Sequence, residues 1–173
     1  LIALDARSVL HPPDLLESEL PGTAIRPYPA QYATQWTAKD GTAVTIRPIR
    51  PEDEPMMVRF HETLSDESVY FRYFHLIKLG QRIDHERLTR QCFVDYNRDM
   101  ALVAERHDPE TGLRAIVAVG RMNKLHGVNE AEVAVIVSDR HQKMGLGTQL
   151  VSSLLEIARK EKLSRLVASV LPG

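Results

Sequence analysis

A run of polar and small residues, Arg140-His141-Gln142-Lys143-Met144-Gly145-Leu146-Gly147-Thr148, lies between an alternating apolar segment and a helical pattern. It restricts the fold more than any other stretch. Two glycines two positions apart let the backbone turn with several N–H groups aimed at one point. A helix beginning at Thr148 brings the positive end of its dipole to the same point. The stretch therefore reads as a phosphate cradle made of main chain. Neither Gly-Lys-Ser nor Gly-Lys-Thr follows Gly145, which excludes the loop of the nucleoside triphosphatases.

The segments on either side supply the scaffold. Residues 1–10 alternate like a strand but stand isolated before a proline-rich stretch, as the end of some preceding region would. Residues 11–40 carry Pro12, Pro13, Pro21, Pro27 and Pro29 and read as a linker arm. Leu15, Leu16 and Leu20 suit one helical turn there, and Trp36 suits an anchor onto the domain. The folded domain is expected from Gly41, because Asp40-Gly41 is a hairpin-type turn and Val44, Thr45 and Ile46 begin a strand. Pro51 and the acids after it open a helix with Met57, Phe60, His61 and Leu64 at helical spacing. Ser65 caps a second helix, whose aromatics Tyr70, Phe71, Tyr73 and Phe74 read as mostly core. A third covers 84–92, with Leu88 and Cys92 inward.

Strands follow at 100–105 and 114–122, joined across a turn at 108–112, and then at 130–137. After the glycine loop, Leu150, Val151, Leu154, Leu155 and Ala158 form one helical stripe, and 165–170 reads as a last strand. The fold class is α/β, more closely α+β: a mixed, mostly antiparallel sheet flanked by helices.

A chain of 173 residues with a formal net charge of −1 suits one domain and gives no support for bulk nucleic-acid or membrane binding. No run of about 18 apolar residues spans a bilayer. One cysteine excludes an internal disulfide framework and suits the cytoplasm. The histidines are scattered without metal-ligand spacing, so no metal site is expected.

Gln142-x-x-Gly145-x-Gly147, placed directly after Val135-Ile136-Val137, resembles the Q/R-x-x-G-x-G/A motif of the GNAT acyltransferases and the strand that precedes it. Four further blocks resemble a narrower group, the bacterial protein lysine acetyltransferases in which a GNAT domain follows an NDP-forming acyl-CoA synthetase. They are Ile25-Arg26-Pro27-Tyr28-Pro29, Ile46-Arg47-Pro48-Ile49-Arg50-Pro51-Glu52-Asp53, Leu64-Ser65-Asp66-Glu67-Ser68 and Asp95-Tyr96-Asn97-Arg98-Asp99-Met100-Ala101. Leu4-Asp5-Ala6-Arg7 is similar to the last strand of the ATP-grasp region in that group. The resemblance implies that 1–10 end the synthetase region, 11–40 are the linker arm, and 41–173 are a GNAT domain truncated after its fifth strand. The strand at 165–170 would then present an open edge that pairs or swaps between copies.

The resemblance implies acetyl-CoA as co-substrate and a lysine-bearing protein as acceptor, with metabolic enzymes such as acyl-CoA synthetases as targets. Backbone N–H groups of Gln142, Lys143, Met144, Gly145, Leu146, Gly147 and Thr148 would hold the pyrophosphate. Val135, Ile136 and Val137 would pair with the pantetheine arm, and the N–H of Ile136 or Val137 would polarise the thioester. Lys143 and Arg140 would add charge near the phosphates. Glu132 occupies the place where this group puts its glutamate base, with Glu130 as the second candidate; Ser65, Asp66 and Glu67 would border the acceptor groove. Two other readings use the same cradle: acetylation of a small amine, and a CoA-sensing regulatory module without turnover.

Overall fold

In the computed structural model, residues 10, 12–14, 26–107 and 112–171 are described. The expectations for 1–9, for the leucines at 15, 16 and 20, and for the turn at 108–111 lie outside them. Six strands form one sheet in the order of the chain: β1 (Thr34–Thr37), β2 (Ala43–Pro48), β3 (Asp99–His107), β4 (Arg114–Lys124), β5 (Glu130–Val137) and β6 (Arg165–Val167). Every neighbouring pair is antiparallel except β5 and β6, which run parallel.

The sheet starts before Gly41. Thr34–Thr37 pairs with β2, from Thr34 opposite Ile46 to Thr37 opposite Ala43, so the Asp40-Gly41 turn closes a hairpin instead of opening the domain. Gly41 takes φ +85, and its N–H donates to the Ala38 carbonyl. A four-residue strand with one large apolar side chain gives too short an alternation to read from sequence.

Between β2 and β3 come α1 (Glu54–Glu62), α2 (Asp66–Tyr73), the single turn α3 (Leu79–Arg82) and α4 (His85–Cys92). Ser65 caps α2 as expected: its hydroxyl accepts the Ser68 N–H at 3.2 Å. Asp84 caps α4 in the same way through the Arg87 N–H. The aromatic run of α2 departs from expectation. Tyr70, Phe71 and Phe74 are exposed and Val69 is the buried residue of the helix, because α2 sits on the rim of the sheet.

The last helix, α5 (Leu146–Lys160), starts two residues before Thr148. Gly145 at φ +90 serves as its N-cap, and the Leu146 side chain is already buried. On the α5 face of the sheet, Leu150, Leu154 and Ile157 pack against Leu102, Ala118 and Val133. At Gly120 a Cβ would lie 3.2 Å from Leu154 Cδ1 and 3.3 Å from Leu150 Cβ, so the missing side chain lets α5 settle onto β4. On the opposite face, Met57, Phe60, Val69 and Leu88 cover Ala101, Val103, Val119 and Ile136. Each such large side chain withdrawn from water contributes about 2 kcal/mol.

One buried ion cluster fastens the helical face to the sheet. The Arg47 guanidinium makes two 2.7 Å bonds to the Asp53 carboxylate, and its Nε and Nη2 both reach Glu105 Oε2, at 2.9 and 2.6 Å. Asp53 also accepts the Arg50 N–H at 2.8 Å, which explains the spacing of Arg47 to the Pro51-Glu52-Asp53 turn before α1.

Candidate functional site

The site is built where β5 and β6 part. They pair over three positions, Glu130 with Arg165, Ala131 with Leu166 and Glu132 with Val167, and then diverge. Beyond that point the edge of β5 is open to a ligand. Its polarity follows from register. The Ser138 N–H donates to Val117 O and the Leu125 N–H to Glu130 O, so residues 130, 132, 134 and 136 turn their main-chain groups to β4. Val135 and Val137, beyond the last pair with β6, therefore direct N–H and C=O toward the opening. This corrects one of the two candidates for polarising a carbonyl: the Ile136 N–H belongs to β4, and Val137 or Val135 offers the outward group.

Three adjoining concavities make one groove. The first is the cradle, lined by Lys39, His141, Lys143, Gly145, Gly147 and Thr148 among others. The second lies against Glu67, Ser68, Phe71 and the segment Val135, Ile136 and Val137. The third lies between β5 and the chain after β6, with Val151, Ala168 and Ser169. Val137 and Gln142 are common to the first two, and Phe71, Arg72 and Val135 to the second and third.

Within the cradle, Leu146, Gly147 and Thr148 open α5, and the first intrahelical bond is from Gln149 N–H to Gly145 O. Their three N–H groups therefore have no intrahelical acceptor and face the concavity at the positive helix end. The Leu146 side chain is core, so main chain alone can act there. The Gln142 N–H is directed to Asp139 O at 3.4 Å, and its side chain ties the loop to α2 by donating to Ser68 Oγ at 3.0 Å. Gln142 thus braces the cradle through its side chain, a different part from the one its N–H was expected to play. Lys143 stands at φ +63 on the rim, whereas Arg140 does not line the cradle. Met144 accepts the Lys39 N–H at 3.2 Å through its carbonyl.

Sequence reasoning missed two supports, Lys39 and Asp139, and gave Trp36 only as an anchor onto the domain, without its partner. Lys39 comes from the β1–β2 turn and lines the cradle. Trp36 lies beneath it: a Cβ at Gly145 would be 3.4 Å from the indole Cη2. Asp139 accepts the Ser65 N–H at 2.8 Å and the hydroxyls of Ser65 and Ser68 at 2.7 and 2.8 Å. Burial pushes the Asp139 pKa up, but these bonds from Ser65 and Ser68 outweigh it and hold the carboxyl below its usual range. No local pattern announces these three contacts, because each depends on a distant partner.

Glu132 is half-buried on β5, opposite Asn123 of β4 and Val167 of β6, at the closed end of the opening. Ser169 Oγ stands 3.5 Å from its Oε1. Glu130 is engaged elsewhere, in a 2.7 Å ion pair with Arg165. Cys92 is buried, and desolvation raises its thiol to about 12, which removes it as a nucleophile. Among the described residues no three His, Cys, Asp or Glu side chains are grouped to hold a metal ion. No helix among them is long and apolar enough to cross a membrane.

The sequence profile of the acetyltransferase (GNAT) family matches residues 60–173. The chain belongs to this family of acetyl-CoA-dependent N-acetyltransferases. It is 32% identical over 121 residues to an acetyltransferase of Pseudomonas aeruginosa; the match covers 70% of this chain and 62% of that protein, so the chain spans less than two thirds of its relative. The GNAT domain of S. lividans PAT is 29% identical, with a TM-score of 0.72 over 84% of this chain and 82% of that one. A cAMP-binding acyltransferase from Mycobacterium smegmatis is 26% identical, with a TM-score of 0.51 over 82% of this chain and 40% of that one. M. smegmatis RimJ in complex with CoA-disulfide shares the fold at 15% identity, with a TM-score of 0.62 over 81% of this chain and 68% of that one.

Proposed function

We propose that the chain transfers the acetyl group of acetyl-CoA directly to lysine side chains of proteins, with metabolic enzymes such as acyl-CoA synthetases as targets, in the cytoplasm. The observation that carries this reading is the groove from the cradle to the parting of β5 and β6, where Glu132 stands in the last register pair of those two strands. The blocks at 25–29, 46–53, 64–68 and 95–101, which resemble the protein lysine acetyltransferases, support a protein lysine as acceptor.

Acetyl-CoA supplies an activated carbonyl. The N–H groups of Leu146, Gly147 and Thr148 receive the pyrophosphate, and the outward main-chain groups of Val135 and Val137 hold the pantetheine arm as an added strand. One of those N–H groups, Val137 or Val135, donates to the carbonyl oxygen as it becomes an oxyanion. Lysine begins with a pKa of about 10.4 and is protonated at neutral pH. The Glu132 carboxylate takes that proton, directly or through water; the neutral amine adds to the carbonyl carbon, the C–S bond breaks, and the second proton of the nitrogen passes through water to the departing sulfur, so that CoA leaves as the thiol.

Glu132→Gln, assayed with labelled acetyl-CoA and an acyl-CoA synthetase as acceptor, is expected to lower turnover by about 100-fold or more and leave acetyl-CoA affinity unchanged. Undiminished turnover would remove Glu132 as the base. Tight acetyl-CoA binding without transfer by the unaltered protein would favour a CoA sensor. One observation favours a small amine as acceptor, the cavity with polar and apolar walls beside the groove, and a panel of amines run against a protein substrate separates the two.

A further inference from the structure

A cavity of about 190 Å³ opens beside the groove, on the face of β4 and β5 covered by α1, α2 and α4. Met57, Phe60, Val119 and Ile136 form its apolar walls, and Arg72, Arg121, His61, Gln91 and Asn123 its polar ones. No carboxylate lines it. Arg72 and Ile136 belong to the groove as well, and Asn123 is the register partner of Glu132, so the cavity adjoins the proposed reaction centre.

The charge around this space is unbalanced. Arg121 Nη1 donates to the Gln91 carbonyl at 3.1 Å, and Arg72 and Arg87 lie on the Tyr73 ring, 4.9 and 5.4 Å from its centre. Among the described residues none of Arg72, Arg82, Arg87 and Arg121 has a carboxylate at ion-pair distance. Asp99 acts on Arg121 without touching it. Arg82 is 4% exposed, and its Nε and Nη1 have no acceptor. His61 is 1% exposed, lines the cavity, and neither ring nitrogen has a hydrogen-bond partner. Burial above all, with help from Arg82, pushes its pKa down to about 4, against a weak opposite pull from Gln91. At neutral pH its imidazole is uncharged and has one N–H to give.

The two arginines that line the cavity, Arg72 and Arg121, are half-buried; partly desolvated positive charge without a counter-ion is costly, and a low-dielectric cleft concentrates its field. An anion entering the space would be held by guanidinium forks and the imidazole N–H. The apolar walls suit a short carbon chain behind that anion, which favours a carboxylate over a phosphate. We propose that the cavity is a carboxylate subsite, taking the terminal carboxylate of a short chain carried by one of the two transfer substrates. That group has two sources: an amine acceptor that bears a carboxylate, or an acyl group that ends in one. The assignment rests on the acyl-transfer reading of the groove.

Glutarate titrated into the protein, followed by calorimetry and NMR, tests the subsite without turnover. Saturable binding is expected, weakened about 10-fold or more in Arg121→Gln, with CoA binding unchanged. His61→Leu, which keeps the apolar volume, should weaken it too and stands in if Arg121→Gln does not fold. The source follows from kcat/KM for a carboxylate-ended acyl-CoA against its uncharged match, and for an amino acid against its amide. A preference that disappears in Arg121→Gln names the substrate. Absence of saturable glutarate binding, or binding that survives both substitutions, overturns the subsite. Binding without either preference, or without any transfer, overturns its assignment to a transfer substrate.

Discussion

Buried Arg47 and the group formed by buried Arg82 with the half-buried Arg72, Arg87 and Arg121 are treated oppositely by the fold. Arg47 is 6% exposed, and its guanidinium bonds are met by Asp53, Glu105 and the Pro48 carbonyl. The second group, drawn from α2, α3, α4 and β4, has guanidiniums and no acids. Compensated charge fixes β2, β3 and the start of α1 to one another. The other guanidiniums meet a carbonyl and an aromatic ring instead of acids, which leaves their charge able to attract an anion from outside.

The largest stability effect should come from breaking the compensated group. Asp53→Ala leaves Arg47 buried with half its partners and is expected to cost about 3–5 kcal/mol in denaturant unfolding. His61 gives the next. Its folded pKa of about 4 lies below the ordinary value of 6.5, so the unfolded chain binds the proton more readily. The contribution is therefore complete above pH 6.5 and is lost as the pH falls toward 4, by up to about 3 kcal/mol. In His61→Leu that acid limb should flatten, which unfolding midpoints across this range would record. Smallest is Arg82→Met, expected to be neutral or stabilising by about 1 kcal/mol, because it removes a buried charge that has no partner to lose. A loss of several kcal/mol there would place Arg82 in the compensated class and dissolve the contrast.

The cradle, the Ser65 cap and the two-faced alternation of β5 were legible because each is written within a few adjacent residues. Glu132 and Ile136 share a face, and Val133, Val135 and Val137 the other, as a period of two requires. Main-chain direction was not legible: whether Ile136 or Val137 offers its N–H to a ligand depends on the register with β4, which alternation alone leaves open. β1 escaped because four residues hold too little pattern. The arginine group escaped for a different reason. Its members stand on separate elements, where each reads as an ordinary solvated charge until the fold brings them together.

The contact between Trp36 and Gly145 has an optical consequence. The chain holds a single tryptophan, and that indole lies directly under the glycine whose neighbours would bind pyrophosphate. Its fluorescence therefore reports on one place. Titration with CoA should shift the emission in proportion to occupancy of the cradle, while glutarate, acting on the far side of the sheet, should leave it unchanged. The protein thus carries its own indicator, able to distinguish filling of the cradle from filling of the cavity without a label.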